Sequence, residues 1–344
     1  MKASLCWLTI LAAWLWVVGN SADTARGAAS INRGDGLDRE LAARMNAGGK
    51  AEISDDRRPY YLFTSFRGNG DDGLHLAISR DGYEWKALNQ DRSYLESKVG
   101  KGRLMRDPCI VRGPDGMFQM VWTTGWWDQT IGYAGSSDLI HWSEPRAIPV
   151  MAHEPTARNC WAPELFYDEP KSRWLIFWAT TIPGRFPETD RTSEDGKNHR
   201  IYYATTKDFK SFSQAELFFD PGFNVIDATI LKSGGKYYMV FKDERVNPLK
   251  KNLRIAVADH VEGPYGNVSE AFTKDWVEGP SALKIGAEWF VYFDEYRAHR
   301  YGAMKSRDLR HWEDVSSKTS FPKDHRHGTV LQVSKSIAEG LEVK

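Results

Sequence analysis

Beyond Tyr60 the apolar residues fall in short runs instead of helical stripes. The stretches 117–124, 174–181, 237–242 and 289–294 are rich in aromatic and β-branched side chains and are bounded by Gly, Asp and Pro clusters. That pattern predicts strands. Pro114-Asp115-Gly116, Ser233-Gly234-Gly235 and Ile285-Gly286-Ala287 lie between such runs and predict hairpin turns.

The strands come in sets. A marker, Ser/Thr-x-Asp-x-x-x-aromatic, occurs at Ser79/Asp81/Trp85, Ser136/Asp138/Trp142, Thr206/Asp208/Phe212 and Ser306/Asp308/Trp312, with Asp259 in a divergent copy. Its spacing of about 50 to 70 residues is that of a propeller or solenoid. The second repeat divides into four strands near 108–112, 117–124, 130–136 and 141–148, and four-stranded sheets repeated radially are propeller blades. The first repeat lacks an innermost strand, with segments only at 60–66, 74–79 and 85–88, while 328–333 is a lone strand at the other end. The economical solution is an all-β, five-bladed β-propeller over 59–335 whose first blade is closed by the C-terminal strand, leaving 336–344 as a C-terminal tail. The marker aspartates recur in one turn context and are expected to form turns.

The N-terminal end reads differently. Lys2 precedes an apolar run over 5–18 and then Asn20-Ser21-Ala22, the layout of a signal peptide over 1–22; 23–58 reads as a linker or N-terminal arm. The expected location is secreted or periplasmic, with no membrane association after cleavage. Lys+Arg and Asp+Glu are 46 each, so zero net charge offers no electrostatic case for nucleic acid. A monomer is expected. Cys109 and Cys160 lack the spacing of a zinc site, and we expect two buried free thiols. With 14 Trp in the chain, sugar binding enters as a candidate function.

In a propeller the inner strands begin at one end of the axial channel. Here those starts carry Asp107-Pro108, Trp161-Ala162-Pro163-Glu164, Ile226-Asp227-Ala228 and Glu278-Gly279-Pro280. Asp107, Asp227 and Glu278 taken singly read as turn or strand-start residues. Aimed at one axial pocket they make a glycosidase site: one acid protonates the leaving oxygen, one activates water, and one tunes the first. A second Glu-Gly-Pro, at Glu262, falls beside a peripheral strand and cannot face the axis.

On these motifs, in this blade order, the chain over 60–333 resembles glycoside hydrolase family 43, the five-bladed arabinosidase and xylosidase propellers. The resemblance implies Asp107 as general base, Glu278 as general acid and Asp227 as the residue that orients the acid and modulates its pKa. It departs from the commoner layout in having a partial blade before the Asp107 strand. The resemblance implies no required cofactor and no metal ligand, though an axial calcium ion or water beside His327 belongs to the family's pattern.

The loops joining second to third strands shape the pocket rim. They offer Arg67, Trp126, Trp127, Arg185, Phe186, Lys242, Glu244, Arg297 and Arg300. Trp161, Trp126, Arg67, Arg297, Arg300 and His327 are the candidate substrate-binding residues. The long 179–200 loop is expected to narrow the pocket and favour chain ends. The expected function is an exported, inverting, exo-acting glycoside hydrolase on arabinofuranosides or xylosides of plant polysaccharides. A galactan-directed exo-glycosidase and a non-catalytic carbohydrate-binding propeller are the alternatives.

Overall fold

The computed structural model describes residues 59–194 and 196–343; the signal-peptide and linker readings lie outside the described residues. Blade one contains β1 (Tyr60–Arg67), β2 (His75–Ser79) and β3 (Lys86–Ala87). Blade two contains β4 (Arg106–Arg112), β5 (Phe118–Thr123), β6 (Ile131–Ser136) and β7 (Arg146–Ile148). Blade three holds β8 (Trp161–Asp168), β9 (Arg173–Thr181), β10 (His199–Thr206) and β11 (Glu216–Phe219). Blade four holds β12 (Val225–Ser233), β13 (Lys236–Asp243) and β14 (Asn252–Ala258). Blade five holds β15 (Glu278–Ile285), β16 (Glu288–Glu295), β17 (Arg300–Ser306) and β18 (Glu313–Asp314). Two strands follow, β19 (His325–Arg326) and β20 (Val330–Val333).

The closing strand pairs as the missing inner strand requires. β20 runs antiparallel to β1, with Tyr60 opposite Val333 and Phe63 opposite Val330, while β19 pairs with the far end of β1 at Phe66 and Arg67. Five apolar layers fill the five interfaces between blades. Leu62 meets Ile110 and Met120 between blades one and two, and Val121 meets Trp178 between two and three. Phe177 meets Phe241 between three and four, Val240 meets Val291 between four and five, and Tyr292 meets Phe63 between five and one. A fifth layer between last and first blades is what a closed ring needs and an open sandwich lacks.

Two expectations change. Blade four has three strands instead of four; beyond β14 there is one bridge, Val257 to Gly266, and the chain over 266–273 returns only scattered hydrogen bonds to the edge. Its marker had diverged at Asp259, which here pairs with Lys236 at 2.6 Å instead of capping a turn. The residues after β20, read as a tail, form a helix, α1 (Lys335–Glu342), capped by Ser334 and burying Ala338 and Leu341 against blades one and two. The four regular markers do form turns. In each, the Ser or Thr hydroxyl accepts a backbone N–H three residues on, and the Asp carboxylate accepts two more, as Asp138 does from Ile140 (2.9 Å) and His141 (2.8 Å). Cys109 and Cys160 are buried free thiols.

Candidate active site

The inner strands of blades two to five share one irregularity. Each pairs at its start, slips, and resumes pairing three residues later, at Arg106/Cys109, Trp161/Glu164, Ile226/Thr229 (after Val225 has also paired) and Glu278/Ser281. The second residue of each bulge takes a left-handed backbone: φ is 52° at Asp107, 45° at Ala162, 52° at Asp227 and 58° at Gly279. A non-glycine residue there costs roughly 1–2 kcal/mol, and such strain persists where surroundings over-determine it. The bulge re-aims side chains toward the channel mouth instead of the flanking blades. Asp107 and Asp227 therefore hold equivalent places, but Glu278 does not. It stands one residue earlier, in register with Arg106, Trp161 and Ile226, and Gly279 fills the aspartate position. The sequence reading had put all three acids at one position; the geometry gives two positions per strand.

These residues still converge. Asp107, Asp227, Glu278 and His327 line one cavity of about 180 Å³ with Arg106, Thr123, Trp126, Trp161, Glu194, Lys197, Ile226 and Glu244. A larger groove of about 670 Å³, lined by residues such as Tyr238, Phe272 and Trp312, runs along the outer side of blades four and five and holds none of the three acids. Asp107 accepts a hydrogen bond from Thr123 Oγ1 (2.8 Å) and faces His327 Nδ1 at 3.2 Å. Asp227 accepts from the Gly279 backbone N–H (3.0 Å) and lies 3.9 Å from the same His327 nitrogen. Glu278 is gripped at both oxygens, by Lys242 Nζ at 3.0 Å and by Arg326 at 3.0 Å.

The charges divide accordingly. Burial works to raise the Asp107 carboxyl, but His327, Arg106 and the Thr123 hydroxyl outweigh it and bring it down to about 2. Burial, with the charge of Glu278 beside it, lifts Asp227 to about 6. His327, despite burial, is raised to about 9 by Asp107 and Asp227. Glu278 is the surprise. A general acid works with a raised pKa; burial does push that way, but Lys242 and Arg326 prevail and hold it below its ordinary value. Asp294, the partner of Arg326 at 3.1 Å, is lifted to about 6 by burial and by Glu278. Deeper along β8, Glu164 is raised to about 8 by burial, with Thr229 donating to it at 3.0 Å.

Aromatic rings form one wall. Trp161 donates its indole N–H to the Trp126 carbonyl (2.8 Å), and the two rings meet edge to face at 5.7 Å. Arg106 lies over Trp126 at 4.3 Å. Arg67, Arg297 and Arg300 lie outside the lining: Arg67 pairs with Asp91 (3.0 Å), Arg297 covers Trp276, and Arg300 bonds Glu295 (2.8 Å). From the long loop the cavity receives Glu194 and Lys197; Arg185 turns to Glu154 (2.7 Å) and Phe186 lies under Arg200. Glu262 is peripheral, paired with Lys171 and Arg173. Sequence reasoning missed Arg106 and Arg326, although each adjoins a residue it had singled out. Nothing local marks Glu194 or Lys197. With Nδ1 of His327 turned to the aspartates and the ring protonated up to about pH 9, its Nε2 is an N–H donor, suited to a water and not to a metal ion.

A family model for a domain related to glycosyl hydrolase family 43, described as "Probable glycosyl hydrolase domain", matches residues 58–339. The chain belongs to this family. As a member, it resembles an alpha-L-arabinofuranosidase of Bifidobacterium longum subsp. longum, with 23% identity over 246 residues, or 64% of this chain. The chain spans only 23% of the length of that relative. Among solved structures, the alpha-L-arabinofuranosidase from Lactobacillus brevis gives a TM-score of 0.45 at 19% identity, covering 61% of this chain and 72% of that one. The exo-beta-1,3-galactanase from Phanerochaete chrysosporium gives 0.48 at 12% identity, covering 69% and 53%.

Proposed function

We propose that the protein is an exported, inverting, exo-acting glycoside hydrolase whose substrates are arabinofuranosides or xylosides of plant polysaccharides. The observation that carries this is the meeting of Asp107, Asp227 and Glu278 in one small cavity walled by Trp161 and Trp126. The arabinofuranoside preference is favoured by the curated relative. The apolar run over 5–18 supports export.

In this reading the terminal sugar rests against Trp161. Asp107, ionised down to about pH 2, accepts a proton from the attacking water while Glu278 protonates the departing oxygen. Asp227 holds the Gly279 backbone and its charge bears on Glu278. Glu278 must first acquire its proton. Sugar oxygens that draw Lys242 and Arg326 away leave the carboxyl buried with only Asp227 and Asp294 for company, and burial then favours the neutral form. The cavity's 180 Å³ suits one terminal ring, which favours exo attack.

The test is hydrolysis of aryl glycosides of arabinofuranose, xylose and galactose, followed by NMR of the first-formed product. Turnover of the first or second with an inverted anomer is expected. A retained anomer would sink the base role of Asp107, and turnover of galactosides alone would sink the substrate class.

A further inference from the structure

At the end of β1 where it pairs with β19, outside the lining of the acidic cavity, two buried imidazoles and a carboxylate meet. His75, His325 and Asp91 bring ligand atoms within 4.8 Å of one another. His75 and His325 are 2% and 4% exposed. We propose that His75 Nδ1, His325 Nε2 and Asp91 Oδ1 bind one divalent transition-metal ion, zinc by preference, which clasps the two ends of the ring.

The first argument is the state of His75. Its Nε2 is engaged by Asp72 at 2.9 Å, which fixes that nitrogen as the protonated one. Its Nδ1 is buried, makes no hydrogen bond, and points at Asp91 Oδ1 from 3.3 Å. In the neutral ring that nitrogen sets a lone pair against a carboxylate oxygen, a contact that is repulsive until a proton or a metal cation lies between them. The second argument is that each candidate ligand already has an outer partner. Asp72 orients His75, Ser65 Oγ bonds His325 Nδ1 at 2.7 Å, and Arg67 holds the other oxygen of Asp91 at 3.0 Å. Outer partners of this kind set tautomer and direction in metal sites.

The third argument is strain. Asn89, Gln90 and Asp91 have φ of 54°, 55° and 59°, three consecutive non-glycine residues in the left-handed region. That turn delivers the Asp91 carboxylate between the imidazoles. Ligands at about 2.0–2.1 Å from a tetrahedral zinc stand about 3.3 Å apart. The His75–Asp91 separation matches this, and the His325–Asp91 contact of 2.7 Å needs to open by about half an ångström. Two imidazoles and one carboxylate select a borderline transition metal over calcium or magnesium. A cleft of about 390 Å³ that shares Arg67 and Asp72 with the cluster gives access for the ion and a fourth ligand from water.

The experiment strips the full chain with chelator, then measures zinc by titration calorimetry and metal analysis, and cobalt(II) by its visible bands. One equivalent of zinc, a melting point raised by several degrees, and tetrahedral cobalt bands are expected. Asp91→Asn and His325→Gln should remove the binding. Should either fail to fold, Asp72→Asn, at a half-exposed residue, should weaken zinc about 10–100-fold. No zinc uptake, uptake unchanged in all three variants, or calcium bound as tightly as zinc would each overturn the proposal.

Discussion

At the scale of single residues the site is a set of charges that restrain one another, and pH is the tool that reads them. Loss of Lys242 should raise the Glu278 pKa, because it removes one of the two cations that grip the carboxylate, each at 3.0 Å, and the one whose charge lowers it most. In Lys242→Met the alkaline limb of kcat/KM should therefore move to higher pH; a pH–rate profile with an unmoved limb would show that Glu278 is not the acid. Glu278→Gln should cripple substrates with poor leaving groups by about 10²–10⁴-fold and spare activated aryl glycosides, whose leaving groups need little protonation. Stability should carry its own signature. His327, raised to about 9, contributes stability that is complete below its ordinary 6.5 and lost as pH rises through about 9. Glu164, raised to about 8, adds a cost of ionisation that grows from about pH 4.5 to about 8. Both make the folded state bind more protons than the unfolded one, so melting temperature should fall between about pH 5 and 9. Glu164→Gln should flatten the lower part of that fall, below about pH 6.5, where His327 does not yet act. Asp107 acts at the other end, its contribution vanishing as pH drops through about 2.

At the scale of elements, the bulged start of each inner strand is the device that makes a site. Asp-Pro, Ala-Pro and Gly-Pro in the sequence marked where these strands begin, but the slip in pairing was not legible. A bulge is a backbone event, and three of its four left-handed residues are not glycine. That is why Glu278 was read into the aspartate position. Rim residues were missed or misassigned for a related reason: where a loop side chain points depends on partners remote in sequence, as Asp91 is for Arg67 and Trp276 for Arg297. The bulge gives a paired prediction. Gly279→Ala places a Cβ 2.4 Å from the His327 ring at a φ of 58°, so it should both destabilise the fold by more than the roughly 1–2 kcal/mol of strain and displace His327 from Asp107. Ala162→Gly, at the equivalent place with φ 45°, should be neutral or stabilising by up to about 1 kcal/mol, because it relieves strain. Chemical denaturation of the two variants decides the comparison, and loss of activity should follow only the first.

At the scale of the whole molecule, the ring was the most legible feature, since a repeat with a missing strand at one end and a spare strand at the other has one economical closure. The outer edge of blade four was not, because a diverged marker says only that the turn is gone and not that the strand is. Removing residues from 328 onward should destabilise the entire propeller instead of fraying one blade. It takes β20 from β1, strips Val330 and Val333 from two interfaces and leaves the β1 backbone groups facing solvent or nothing. A single cooperative unfolding transition displaced to much lower temperature is expected; a retained midpoint with a small separate transition would argue that the blades stand alone.

The same closure imposes an order in time. Ser65 and His325 touch at 2.7 Å but are 260 residues apart in the chain. At about 5–20 residues per second of synthesis, the first strand waits on the order of 10–50 s for the strand that completes it. Throughout that interval β1 carries an open edge, the feature that invites pairing with other chains. The nascent protein therefore cannot finish folding from its N-terminal end as it emerges. The strand that fastens the ring is made after all the others of the propeller, and a ribosome that stalls short of it releases four blades and a frayed first.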